Sequence, residues 1–165
     1  MSIEENKRFI VLRVLNMPGV MERISSIFAR RGVNIDTITV GVVNGRTSQI
    51  SLTFSLPEDK FENILKILEK NPCVLEVKVG LLELDVIREA FVAVLKDCDT
   101  SVSDYIRIRY RARTTLLSDS KLLVELLADP RTINEFKDEF ADRIESFSRS
   151  GVMIHTLNHY RKVKA

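Results

Sequence analysis

A chain of 165 residues with 45% apolar side chains is long enough for one ordinary domain, or for two very small ones sharing a core. Its formal net charge of +2, with both signs interspersed through the 29% of charged residues, supplies no basic field of the kind that drives nucleic-acid binding. No apolar run reaches the length of a membrane span, and the opening MSIEENKR is acidic and polar where a secretory signal is basic and then apolar, so the expected setting is cytoplasmic.

In chain order, RFIVLRVL (8–15) places Ile10, Leu12 and Val14 on one face and Arg13 on the other, which predicts a half-buried strand. Pro18 suits the first position of a helix, and Val20, Ile24, Ile27 and Phe28 recur at helical spacing until Gly32 ends it. NIDTITVGVV is rich in β-branched residues, Asn44-Gly45 signals a tight turn, and Ile50, Leu52, Phe54 and Leu56 then alternate with Ser51, Thr53 and Ser55. That pattern predicts a hairpin with one wet face. Phe61, Ile64, Leu65 and Leu68 mark a second helix opened by Pro57, and CVLEVKVGLLEL reads as a further alternating strand. The order β-α-β-β-α-β is solved by a four-stranded antiparallel sheet with both helices on one face, the ferredoxin-like arrangement. Val11 and Leu15, on the outward side of the first strand, suggest that a second layer covers the other face.

A similar order begins again near residue 88. It comprises strand EAFVAVLK, the segment TSVSDYIRIRY, hairpin ARTTLLSDSKLLVELLA, a helix capped by Asp129 with Pro130 at its first position, and a closing strand around IESFSRSGVMIHTL. Ile133, Phe136 and Phe140 supply that helix with a buried stripe. The expected fold class is therefore α+β, with two ferredoxin-like domains at 1–83 and 84–165. No Pro, Gly or Ser run separates them, so the connection is short.

Catalytic vocabulary is scarce. The chain holds no phosphate loop, no nucleophile elbow and no paired carboxylates in a glycine-marked loop, so no catalytic residue is assigned. Cys73 and Cys98 are too isolated for a disulfide or zinc framework and read as reduced thiols. His155 and His159, at i and i+4, would share one helix face but follow a strand-like GVMI and lack a third ligand, so no metal site is assigned. Arg107, Arg109, Arg111 and Arg113 alternate with Ile108, Tyr110 and Ala112, which would line one basic strand face, either solvated, in contact with protein, or gripping phosphates.

The segment LNMPGVMERISSIFARRGVNID (15–36) is different, because several features converge on the start of one helix. A helix N-terminus offers free N–H groups and a positive dipole end to a carboxylate, Gly19 leaves that end open, and Asn16 brings both a donor and an acceptor. Asn34 opens the next strand, from where it reaches a ligand of its own chain or of a neighbour. The alternative is purely structural: Asn16 and Pro18 form the turn, while Gly32 and Asn34 end the helix.

VLNMPGVMERISSIFARRGVNIDTITV resembles the opening of the regulatory (small) subunits of acetohydroxyacid synthase, also called acetolactate synthase, whose N-terminal half is an ACT domain. REAFVAVLK, YRARTTLLSDS and SRSGVMIHTL resemble stretches of that family's second domain, so the likeness covers nearly the whole chain. It implies homodimers with sheets aligned edge to edge and a branched-chain amino acid, valine or a relative, bound at the dimer interface. Carried over by position, it implies Asn16, Pro18, Gly19, Val20 and Met21 as effector contacts, completed by Asn34 and Ile35. It further implies a non-catalytic subunit that activates a catalytic large subunit and conveys feedback inhibition. Thiamine diphosphate and Mg are expected on that partner and no cofactor on this chain, with neither nucleic acid nor membrane as a partner. The family's usual Ser-Arg pair in the third strand stands here as Ser48-Gln49. A free-standing ACT amino-acid sensor acting on another enzyme or a transcription factor, and a small enzyme on the same fold, are the competing readings.

Overall fold

The computed structural model describes residues 6–80, 85–118, 120–156 and 160–163. They form β1 (Lys7–Leu15), α1 (Val20–Ala29), β2 (Ile35–Asn44), β3 (Thr47–Ser55), α2 (Glu58–Lys70) and β4 (Val74–Gly80), then β5 (Val86–Leu95), α3 (Thr100–Tyr110), β6 (Arg113–Ser118), β7 (Lys121–Ala128), α4 (Pro130–Glu139), β8 (Ile144–His155) and β9 (Tyr160–Val163). Two sheets result, β2-β3-β1-β4-β9 and β6-β7-β5-β8. Each contains the ferredoxin-like order, so both expected domains have the predicted topology.

The chain divides into two compact units, residues 1–86 with 152–165 and residues 87–151. The expected boundary at 83/84 thus lies close to the first crossing, but the last fourteen residues return to the first unit. β9 adds an antiparallel fifth strand to the edge of β4, with Val77 opposite Lys162. The sequence carried no signal for it: four residues are too few to show a period.

In the first unit, Ile10, Leu12 and Val14 of β1 meet Ile24 and Phe28 of α1, Leu52 and Phe54 of β3, and Phe61, Ile64, Leu65 and Leu68 of α2. Phe28 and Phe54 pack edge to face at 4.9 Å between ring centroids. The opposite sheet face is not wet, as the alternation of β3 suggested. Ser51 and Thr53 are buried there with Phe9 and Val11. The Ile154 N–H donates to Ser51 Oγ at 3.4 Å, and Thr37 and Thr53 share a hydroxyl hydrogen bond at 2.8 Å. Gly80 is needed under this cover, since a Cβ there would stand 3.0 Å from Phe9 Cβ and 3.4 Å from Ile154 Cγ2. Short polar side chains read as solvent-facing, but a hydroxyl is buried at little cost once it is hydrogen-bonded.

The second unit buries Phe91, Leu95, Ile106, Leu122, Val124 and Phe136. Asp129 caps α4 as expected, its carboxylate accepting from the N–H groups of Arg131 and Thr132 at 3.0 Å and from Thr132 Oγ at 2.8 Å. Burial pushes the Asp129 carboxyl up, yet these hydrogen bonds outweigh it and hold the group below its ordinary range. Glu89 of β5, 2% exposed, accepts a two-pronged ion pair from Arg149 of β8, Nε to Oε1 at 2.8 Å and NH2 to Oε2 at 2.6 Å. Asn134 of α4 accepts from the same guanidinium at 3.1 Å. Tyr110 donates to Glu139 at 2.5 Å; burial and that hydrogen bond together push its phenol up.

The segment 100–113 departs from the alternating reading. Arg107 and Arg109 lie on α3, Arg111 follows its last turn in the left-handed region at φ 54°, and Arg113 opens β6. The four arginines therefore do not share a strand face. Asp99, whose carboxylate accepts from Val102 N–H at 3.0 Å, supplied the overlooked helix-start signal. His155 ends β8, so it shares no helix face with His159, which lies outside the described residues. Among the described residues there is no grouping of three His, Cys, Asp or Glu side chains fit to hold a metal, and no helix long and apolar enough to cross a membrane.

Candidate functional site

β1 delivers the chain to the start of α1 through residues 16–19. The Leu15 N–H donates to Cys73 O at 2.9 Å, and the Asn16 N–H to Arg46 O at 2.8 Å in the β2–β3 turn. That turn is closed by Asn44, whose side-chain oxygen accepts from the N–H groups of Arg46 and Thr47, both at 2.9 Å. Pro18 was expected at the first helical position but sits in the turn before it. Gly19 occupies the N-cap at φ 81°, and its carbonyl accepts the first helical bond from Arg23 at 3.1 Å. A positive φ favours glycine at this point. Nothing lies within 4 Å of where its Cβ would be.

No side chain caps this helix. The N–H groups of Met21 and Glu22, at its second and third positions, therefore have neither an intrahelical acceptor nor a side-chain one. Asn16, Pro18 and Gly19 are exposed, Met21 is half-buried, and Val20 is 4% exposed, tying the turn to the core. The hydroxyl of Thr47, opposite Leu15 in the β1–β3 ladder, is buried without a hydrogen-bond partner.

The far end of α1 is closed without Asn34. Gly32, at φ 65°, donates to Ala29 O at 3.1 Å, and Val33 donates to Phe28 O at 3.1 Å, the paired bonds of a Schellman motif. Neither the Asn16 nor the Asn34 side-chain amide hydrogen-bonds within the described residues, so the turn and the cap do not consume them.

The structure does not bring Asn16 and Asn34 together in one chain. Leu15 pairs with Thr47, at the start of β3, whereas Ile35 pairs with Phe54, near its end. Seven residues of strand separate these positions, roughly 24 Å at about 3.4 Å per residue. The option that Asn34 reaches a ligand held at Asn16 of its own chain is thereby removed. β2 is an edge strand, bonded only to β3, and its Ile38, Val40 and Val42 stand 36%, 49% and 69% exposed on the helix side of the sheet.

Two units of ferredoxin-like strand order, the first of them with an uncapped helix N-terminus and an open edge at β2, are the fold of the ACT class, and residues 10–76 match the family model described as "AHAS small subunit-like ACT domain". Across 120 residues the chain is 31% identical to the acetolactate synthase small subunit of Mycobacterium leprae, covering 70% of each chain. It is 28% identical over 155 residues to a probable acetolactate synthase small subunit of Methanothermobacter thermautotrophicus, covering 91% of this chain and 92% of the relative. The small-subunit structure from Thermotoga maritima superposes with a TM-score of 0.80 at 24% identity, over 94% of this chain and 98% of that one. The chain belongs to the acetolactate synthase small-subunit family.

Proposed function

We propose that this chain is the non-catalytic regulatory subunit of an acetolactate synthase. It activates a catalytic large subunit and conveys feedback inhibition by valine or a related branched-chain amino acid. Thiamine diphosphate and Mg would then belong to that partner; the sequence has no phosphate-loop motif, and no group of three metal-binding side chains occurs among the described residues.

The observation that carries the effector site is the register just described. Two copies pairing antiparallel through the middle of β2 would bring the Asn34 end of one copy alongside the Asn44–Gly45 turn of the other. Gly45 adjoins Arg46, whose carbonyl holds Asn16. The same pairing covers the exposed Ile38, Val40 and Val42, as an edge of this kind requires. An amino acid at this junction offers its carboxylate to the Met21 and Glu22 N–H groups and its ammonium to an asparagine oxygen. Asn34 and Ile35 of the second copy complete the pocket around its side chain.

The test is the rate of acetolactate formation by the catalytic large subunit, with and without this chain, across a valine titration. Activation that valine reverses is the expected result. An unchanged rate together with unchanged valine sensitivity would refute the regulatory reading and favour a sensor of another enzyme.

A further inference from the structure

We propose that Asn44 is a positioning residue for the effector, the side chain through which pairing along β2 sets the turn that carries Asn16; this rests on the regulatory reading above. Asn44 is the last residue of β2, and its side-chain oxygen accepts from the N–H groups of Arg46 and Thr47, both at 2.9 Å. The Thr47 N–H and the Arg46 carbonyl belong to one planar trans peptide unit, so they point in opposite directions and turn together. By holding that N–H, Asn44 aims the Arg46 carbonyl. This is the carbonyl that accepts from the Asn16 N–H at 2.8 Å, at the start of the turn into α1.

The turn depends on this side chain more than a common hairpin would. Asn44 pairs with Thr47, which leaves Gly45 and Arg46 as a two-residue loop. Such loops usually close in a primed turn with positive φ at the first or at both central residues. Neither Gly45 nor Arg46 has a positive φ, and the Asn44 oxygen closes the loop instead, in the manner of an Asx turn. Both of its hydrogen bonds are exposed, so they add little to global stability and can be lost without unfolding. The second anchor of the effector turn is different. The Leu15 N–H donates to Cys73 O at 2.9 Å, just before β4, which lies inside the sheet between β1 and β9. Of the two anchors, the one at Arg46 is contiguous with the open edge. A second copy lying along Ile35–Asn44 would therefore act on the residue that directs Asn16, while its own Asn34 approaches the same turn. Asn44 thus serves both halves of the proposed site without touching the ligand.

The test compares Asn44→Ala and Asn44→Asp with the unaltered full chain in complex with the large subunit, reading the half-inhibiting valine concentration, and reads self-association of the free chain by sedimentation with and without valine. Asn44→Ala is expected to raise the half-inhibiting concentration about tenfold, because a binding constellation loosened by a fraction of an ångström loses its ligand. Its melting temperature should fall by no more than about 4 °C, and activation of the large subunit should persist. Self-association without valine should stay within about twofold of the unaltered chain, while the tightening produced by one fixed valine concentration shrinks. Asn44→Asp keeps an acceptor for both N–H groups and should restore inhibition to within about threefold at about 0.5 M salt, which screens its charge. A half-inhibiting concentration within twofold of normal in folded Asn44→Ala would overturn the proposal and leave the regulatory reading standing. So would self-association weakened equally with and without valine, which would mean that Asn44 only shapes the end of β2, or a loss in Asn44→Asp as large as in Asn44→Ala. If the unaltered chain neither activates the large subunit nor confers valine inhibition, the regulatory reading falls and this role with it.

Discussion

Replacing Gly19 separates a turn that merely connects β1 to α1 from one that binds an amino acid. At φ 81° any L side chain meets backbone strain of about 1–2 kcal/mol. No neighbour stands within 4 Å of the new Cβ, so that strain is the whole steric cost. At roughly 2–4 °C per kcal/mol, Gly19→Ala and Gly19→Asp should both melt about 2–8 °C lower and remain folded. An Asp side chain gains little back as a cap, because caps work from an extended backbone and this residue is not extended. The two variants diverge in charge. In the proposed site the Asp carboxylate would stand about 4 Å from the effector's own, a repulsion of about 4 kcal/mol at an effective dielectric of about 20, or roughly three powers of ten in affinity. The assay is large-subunit activity against valine, with circular dichroism and co-purification to verify fold and assembly. Gly19→Asp should leave an active complex indifferent to valine, while Gly19→Ala retains a measurable response. An intact valine response in folded Gly19→Asp would place the pocket elsewhere. Equal loss in both variants would show that backbone geometry, not charge, governs the site.

Glu89→Ala should leave the Arg149 guanidinium in the second unit without its carboxylate, costing about 3 kcal/mol and lowering the melting temperature by roughly 6–12 °C in a thermal scan. Asp129→Ala should remove the cap of α4 and about 1 kcal/mol near neutral pH. Because the folded Asp129 titrates below its ordinary value of 3.8, the stability it adds is fully present above that value. The gap between wild type and variant in urea melts should therefore close as pH falls through the lower folded value; a gap that persists into stronger acid would argue against the charged cap.

Both folds were legible because the period of most elements matched the burial of their core-facing side. The stripe Ile24, Ile27, Phe28 and the alternation of Ile50, Leu52 and Phe54 each fit only one kind of element, and each packs as its period required. Legibility failed where the deciding contact was remote in sequence. Ser51 read as solvated because its cover, Ile154, lies more than a hundred positions on. The segment 100–110 misled for a different reason. Its inward face holds only Ile106 and Tyr110 with half-buried Val102 and Ser103, so a helix with a narrow apolar stripe showed apparent arginine alternation instead. Of the candidate site, the helix start and Gly19 could be read locally. The separation of Asn16 from Asn34 could not, because it is a property of strand register, which the two asparagines' closeness in sequence conceals.

That separation bears on how such a subunit would respond to an effector at all. A ligand held wholly within one chain would bind a single copy and a pair alike and leave their association unchanged. A ligand contacted by α1 of one copy and by Asn34 of another binds only the pair, so effector affinity and association become linked by the same free energy in both directions. On the proposed reading, the exposed valines of β2 would have a second role beyond burial. They would have to hold the two sheets closely enough to form the pocket, yet leave the pairing sensitive to whether it is filled. An edge packed so tightly that filling the pocket made no difference would bind valine well and transmit nothing, since coupling depends on the difference in affinity between arrangements and not on affinity itself.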